Sequence, residues 1–266
     1  MSKGQRERPE VQALHAEVGG SLGHGKDGLV HRLELPDEIA RLQECGGWVV
    51  KISHAPSECA FPGSQAAVAS SADRYVQGAL FKQKKYDVLR HFLGDTIPES
   101  HFLVSNVKVG EAVRPAEITL QREAPGVRIK KLDRKQKSDP QLHENITKLM
   151  GKLCYMFTVV AQANAECLAQ EVMDIKLDLG GVAKFARSKP LRYKFCARDA
   201  LKTIRKGTPN MLVNPETFQL YCVDFDQGVW RPGMENVLQR IYEIDEHNQG
   251  LRRQIQQTPL GRLVSV

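Results

Sequence analysis

Pro125-Gly126 divides the chain into two stretches of different periodicity, and this division constrains the fold more than any other feature. Ahead of it, apolar residues come in short strand-like runs. In LVHRLEL (29–35), Leu29, Leu33 and Leu35 share one side, and WVVKI (48–52) is an apolar run bounded by turn residues. Residues 101–109 and 116–122 are two further strand candidates. One long helix interrupts them. From about Ser71 to Leu93, Tyr75, Leu80, Phe81, Tyr86, Leu89 and Leu93 suit a helical stripe, stopped by Gly94 and Pro98. Behind the break, Asp139-Pro140 opens a helix in which Leu142, Ile146, Leu149, Leu153, Met156, Phe157 and Val160 recur at three and four. Residues 176–206 read as irregular and basic. MLVNPETFQLYCVDF reads as a hairpin turning at Asn214-Pro215, and 234–257 as a closing amphipathic helix. Strands with one helix first, then mostly helices, is the order of an α+β protein with two lobes. The expected boundaries are a disordered leader at 1–10, an N-terminal lobe at 11–122, a hinge and basic linker at 123–138, and a C-terminal lobe at 139–266.

With 266 residues, 41% hydrophobic and 26% charged, the chain can bury a substantial core. Its best apolar run, Leu153–Ala163, is short and interrupted by Tyr155 and Thr158, so no membrane span is expected. The opening MSKGQRERPE is polar and unlike a signal peptide, and the expectation is a cytoplasmic protein. The six cysteines form no CxxC pair. Cys154, Cys167, Cys196 and Cys222 read as small buried hydrophobes, and neither a disulfide framework nor a zinc site is expected. The net charge of +7 is concentrated. Between Lys184 and Lys206 the basic residues face one acid, Asp199, which suggests an anionic partner: a phosphorylated substrate, an acidic protein or a nucleic acid. A second cluster, Arg128 to Lys137, reads as a solvated face.

LGHGKDGLV (22–30) spaces Gly23, Gly25, Gly28 and Val30 as G-x-G-x-x-G-x-V. The strand-like text after Gly28 argues against a dinucleotide fingerprint, and Asp27 after Lys26 against a P-loop. What remains is a glycine turn between antiparallel strands, a plain hairpin or a cover whose N–H groups meet nucleotide phosphates. Lys51 in WVVKI stands inside an apolar strand, where an ammonium without a partner is costly. It is either an edge lysine reaching solvent or a phosphate-binding lysine. The long helix offers Asp73 and Asp87 as its carboxylate partner, and Asp87 sits on the more convincing helical text. EITLQREAPG (117–126), with Gln121 and Glu123, suits a hinge whose backbone bonds an adenine. In VDFD, Asp224 ends an apolar strand and Asn210 precedes the hairpin. Both carry oxygen donors of the kind Mg²⁺ prefers.

Glycine loop, strand lysine, helix, hinge, helix, Asn and Asp in that order resemble the protein-kinase-like phosphotransferase superfamily, over most of 20–230. The resemblance implies a two-lobed fold with an N-terminal antiparallel sheet plus one long helix, and a mainly helical C-terminal lobe with a metal-site hairpin. It implies ATP and Mg²⁺ as ligands. Gly23, Gly25 and Gly28 match the glycine loop, Lys51 the phosphate lysine, and Asn210 and Asp224 the metal ligands. VDFD replaces the commoner D-F-G, and no A-P-E motif follows, as in the compact bacterial branch of small-molecule and atypical kinases. The family's aspartate five residues before the Asn is Arg205 here, and the nearest upstream acid is Asp199. Three readings follow: Asp199 folds back from a longer loop, transfer proceeds without a carboxylate base beside Arg205, or the chain is a pseudokinase. A basic nucleic-acid-binding protein is the alternative from another class.

Overall fold

The computed structural model describes residues 17–25, 28–34, 47–53, 71–109, 112–167, 179, 181–206, 210–223 and 234–257. The protein is α+β, with two antiparallel sheets and helices gathered towards the C-terminal half. Its residues group into two compact units. One runs to Tyr86 and resumes at Pro98–Ala124; the other comprises Asp87–Ile97 and the chain from Pro125.

The first unit is built on a five-stranded sheet in the order β1-β2-β3-β5-β4. Its strands are β1 (Glu17–Gly25), β2 (Gly28–Glu34), β3 (Trp48–Ser53), β4 (Ser100–Val109) and β5 (Ala112–Arg122). Strand β5 starts earlier than its apolar text suggests and includes Pro115. Pro115 pairs with Asn106 of β4 and lies beyond the Glu117–Arg122 stretch that pairs with Trp48–Ser53. On β5, Glu117, Thr119 and Gln121 are buried while Ile118 and Leu120 are half-buried, so the more enclosed face carries polar side chains. Helix α1 (Ser71–Leu93) supplies partners for that face: Lys82 pairs with Glu117, and the Tyr86 ring meets Phe102 of β4 at 5.8 Å. The expected stripe is partly rotated. Tyr75, Phe81, Leu89 and Leu93 are buried, but Leu80 is 43% exposed, and Lys82 and Lys85 are buried. Spacings of three and four through 82, 85 and 89 define the inner line, and Leu80 lies across the helix from it.

In the second unit, α2 (Arg134–Lys137) leads to α3 (Pro140–Glu166), whose N-terminus is capped by Asp139, accepting from the Gln141 N–H at 2.8 Å with Pro140 in the first turn. All seven residues of its three-and-four repeat are buried. Helices α4 (Gly181–Arg187), α5 (Ala197–Lys206) and α6 (Met234–Gln257) pack against α3. The irregular text expected at 176–206 is thus corrected by two helices. Their inner faces are made of Val182, Ala183 and Ala186, and of Ala200, Thr203 and Ile204, residues too small or polar to stand out among the basic ones. Asp245 of α6 is buried and accepts from the Tyr155 hydroxyl (2.6 Å) and Gln249 (2.6 Å), with His91 at 2.8 Å. Burial, then this carboxylate, pushes the Tyr155 hydroxyl pKa up.

A small sheet, β6 (Val127–Arg128), β7 (Met211–Val213) and β8 (Leu220–Cys222), completes the unit. The expected hairpin turn is stabilised by Asn214, whose Oδ1 accepts from the Glu216 and Thr217 N–H groups. Gly126 enters this sheet so closely that a Cβ would lie 2.7 Å from the Val213 carbonyl oxygen. Gly126→Ala should therefore cost about 1–3 kcal/mol by forcing backbone apart. A urea denaturation midpoint equal to wild type would refute that close approach. Cys154 and Cys222 are buried, the latter with its thiol pushed up to about 12 by burial, but Cys167 is intermediate and Cys196 exposed, correcting the expectation for those two. Cys45 and Cys59 lie outside the described residues. Among the described residues no helix is long and apolar enough to cross a membrane.

Candidate functional site

In the first unit the register aligns residues that are far apart in sequence. Gly23 pairs with Val30, Val30 with Lys51, Lys51 with Thr119, and Thr119 with Phe102, giving one row across all five strands. Neighbouring strands lie about 4.8 Å apart, so Gly23 and Lys51 are separated by about 10 Å. Gly25 pairs with Gly28 at the end of the same hairpin. Lys51 occupies the middle strand and is half-buried, which rules out the edge-strand reading.

Directly paired residues in an antiparallel sheet share a face, so Lys51 sits on the side of Thr119 and Glu117. Glu117 pairs with Ser53, one diagonal step from Lys51 and within reach of a long side chain. Its Oε2 is 2.7 Å from Lys82 Nζ, and both side chains are almost fully buried. Asp87, favoured from sequence as the partner of Lys51, is exposed and belongs to the second unit. There the Tyr242 hydroxyl is pushed up first by burial and then by the Asp87 charge. The side chain of Asp73 lies outside the described residues. Glu117 lies on a strand, whereas the kinase-like resemblance places the lysine's carboxylate on the long helix. The alternation of Glu117, Thr119 and Gln121 was the available signal.

The hinge candidates are engaged within the sheet. Gln121 is buried and donates to Ser100 Oγ (3.2 Å), which donates to the Pro98 carbonyl (3.0 Å). The Glu123 N–H donates to the Gly47 carbonyl at 2.7 Å. These two bonds tie the end of β5 to Ser100 and Gly47.

In the second unit, Asn210 immediately precedes β7, half-buried, and its carbonyl accepts from the Val223 N–H at 3.0 Å. This bond extends the hairpin one pair beyond Met211↔Cys222. Asp224 follows Val223 in the chain and itself lies outside the described residues.

Asp199 is in the first turn of α5, 4% exposed. Its Oδ2 accepts from the Cys196 N–H (3.2 Å), the Cys196 thiol (3.4 Å) and the Tyr193 hydroxyl (3.1 Å). Burial opposes the charge, but the Cys196 and Tyr193 bonds outweigh it and hold the carboxyl below its ordinary value. A carboxylate reaching back to the N–H before its helix is half of a capping box. Asp199 therefore lies in the first turn of a helix and not in a long loop. Because its folded pKa is depressed, its stabilisation is present above the unfolded value of about 3.9 and is lost as pH falls below it. Asp199→Asn should flatten the acid limb of a stability-against-pH curve below about pH 4. An unchanged limb would deny Asp199 this role.

Arg205 is exposed in the last turn of α5, aligned with Arg198 and Lys202. The connection from α4 to α5 is fixed by a ring cluster. Phe185, Tyr193 and Phe195 meet edge to face at 5.0–6.5 Å, and Lys189 Nζ lies 4.8 Å from the Phe185 centroid and 4.7 Å from that of Tyr193. No protein-family model matches the chain, and no curated protein matches it either.

Proposed function

We propose that this chain is a cytoplasmic, two-lobed, protein-kinase-like ATP- and Mg²⁺-binding protein that transfers phosphate to a hydroxyl acceptor. The observation that carries the reading is the row Gly23, Val30, Lys51. A glycine hairpin two strands from a half-buried lysine in the central strand is a suitable cradle for polyphosphate. Glycine lets backbone N–H groups approach the oxygens, and the ammonium balances their charge. Mg²⁺ is a hard ion satisfied by one or two protein oxygens and nucleotide phosphates. The Asn210 side chain and the Asp224 carboxylate are donors of that type, and the Val223–Asn210 bond keeps Asn210 beside the residue preceding Asp224. The metal would supply charge neutralisation on the phosphates.

Asp199 caps α5, so the active-enzyme reading relies on positioning and cations, with Arg205 able to stabilise charge on a transferring phosphoryl group. The same observation favours a second reading, a pseudokinase that binds nucleotide without turnover. Calorimetric titration with ATP, with and without Mg²⁺, followed by a phosphoryl-transfer assay, separates the two. Binding with transfer supports the enzyme, binding alone the pseudokinase, and no binding by folded protein removes both.

A further inference from the structure

We infer that the outward face of α4 and α5 is a docking surface for the phosphate backbone of a nucleic-acid duplex. Helix α5 buries Ala200, Thr203 and Ile204 and turns Arg198, Lys202 and Arg205 outward. That stripe extends over about 10 Å at 1.5 Å per residue. Lys184 of α4, with Arg192 and Lys194 of the connection, adds exposed cations. Asp199, the single acid between Lys184 and Arg205, is buried at the α5 N-terminus.

The geometry selects among anions. Cations spread along a helix fit an extended chain of charges better than one phosphate, which needs donors converging on a point. A protein partner would ordinarily require an apolar anchor within the charged rim, and a membrane partner an apolar side to insert. Here the exposed large hydrophobic residue is Leu191 alone among the described residues of 181–206. A phosphodiester backbone needs neither, because counterion release supplies the free energy. Phe185, Tyr193 and Phe195 are committed to packing edge to face with one another, and Lys189 lies over a face of Phe185 and of Tyr193. Base stacking is therefore not part of the inference, and duplex is favoured over single strand. The ring cluster also holds the charged connection in shape before binding, which limits the ordering cost.

The test is fluorescence anisotropy with labelled 20-base-pair DNA and RNA duplexes of arbitrary sequence, from 50 to 200 mM salt. The variants are Arg198→Glu/Lys202→Glu/Arg205→Glu and, as a control for bulk charge, Lys130→Glu/Arg134→Glu/Lys135→Glu. All six positions are exposed, and each triple removes the same charge. The first triple should weaken binding by at least about 100-fold and lower the salt slope by about 2.7, three contacts at about 0.9 each. The control should leave that slope unchanged, and the DNA and RNA arms identify which duplex is preferred. Equal losses in both triples would overturn the inference, as would absence of binding at 50 mM salt by the folded wild type. Equally tight binding of polyglutamate or phosphatidylserine vesicles would overturn it in favour of an acidic protein or a lipid surface.

Discussion

Glu117→Ala is expected to destabilise the first unit by about 3–5 kcal/mol, because it removes a buried carboxylate 2.7 Å from the buried Lys82 ammonium. The pair is 2.7 Å apart, with side chains 5% and 1% exposed. Lys82→Met should be similarly harmful, since it removes the ammonium 2.7 Å from the buried Glu117 carboxylate. The informative variant is the double. Lys82→Met/Glu117→Leu removes both charges and fills the space with apolar atoms, and should return stability to within about 1 kcal/mol of wild type, or above it. Chemical denaturation of the two singles and the double forms a complete cycle. Singles no worse than surface substitutions, or a double as unstable as either single, would remove the ion pair from the account of this sheet. The double also bears on Lys51, one diagonal step from Glu117. If it is stable yet binds ATP poorly, Glu117 positions Lys51 as well as pairing with Lys82.

Lys51→Ala should weaken ATP binding by about 10- to 100-fold, the loss of one hydrogen bond between charged groups at about 1.5–3 kcal/mol. In the proposed site the ammonium acts on phosphate directly, so the loss should persist without Mg²⁺. Asp224→Asn should weaken binding chiefly when Mg²⁺ is present, because in the proposed site it removes a carboxylate from the metal's hard-oxygen donors. The two substitutions therefore differ in metal dependence as well as size, and calorimetry at fixed ATP with varied Mg²⁺ reads both. Binding unaffected by Lys51→Ala would dissociate the central-strand lysine from the nucleotide. Loss of affinity in Asp224→Asn irrespective of metal would assign that residue to packing.

The legible part of this architecture was the part written in periodicity. The three-and-four repeat from Leu142 to Val160 gave α3 and its buried face, and the apolar runs around Asn214-Pro215 gave the β7–β8 hairpin. Helix α5 was not legible, because its buried side is Ala200, Thr203 and Ile204, and the eye follows the cations on the other side. The inward face of β5 was missed for the converse reason. Glu117, Thr119 and Gln121 look like a solvent side until Lys82 arrives to pair with the first of them. In the candidate site, Gly23, Gly25, Gly28 and Lys51 were visible as residue types in order. The roles of Asp199, Gln121 and Glu123 were not, because each depends on a hydrogen bond that spacing alone does not report.

The sequence by itself determined the local elements: where strands give way to helices, where Gly126 and Asn214-Pro215 turn the chain, and how charge gathers between Lys184 and Lys206. These follow from torsional preference and side-chain period, which act over a few residues. Tertiary structure alone decided which strands are neighbours, so that Gly23, Val30 and Lys51 fall in one row and Glu117 meets Lys82. It also placed Asp199 at the start of α5, within hydrogen-bond reach of Cys196 and Tyr193. Burying a charge is costly until a partner distant in the chain supplies the opposite one, and only the folded chain brings the two together.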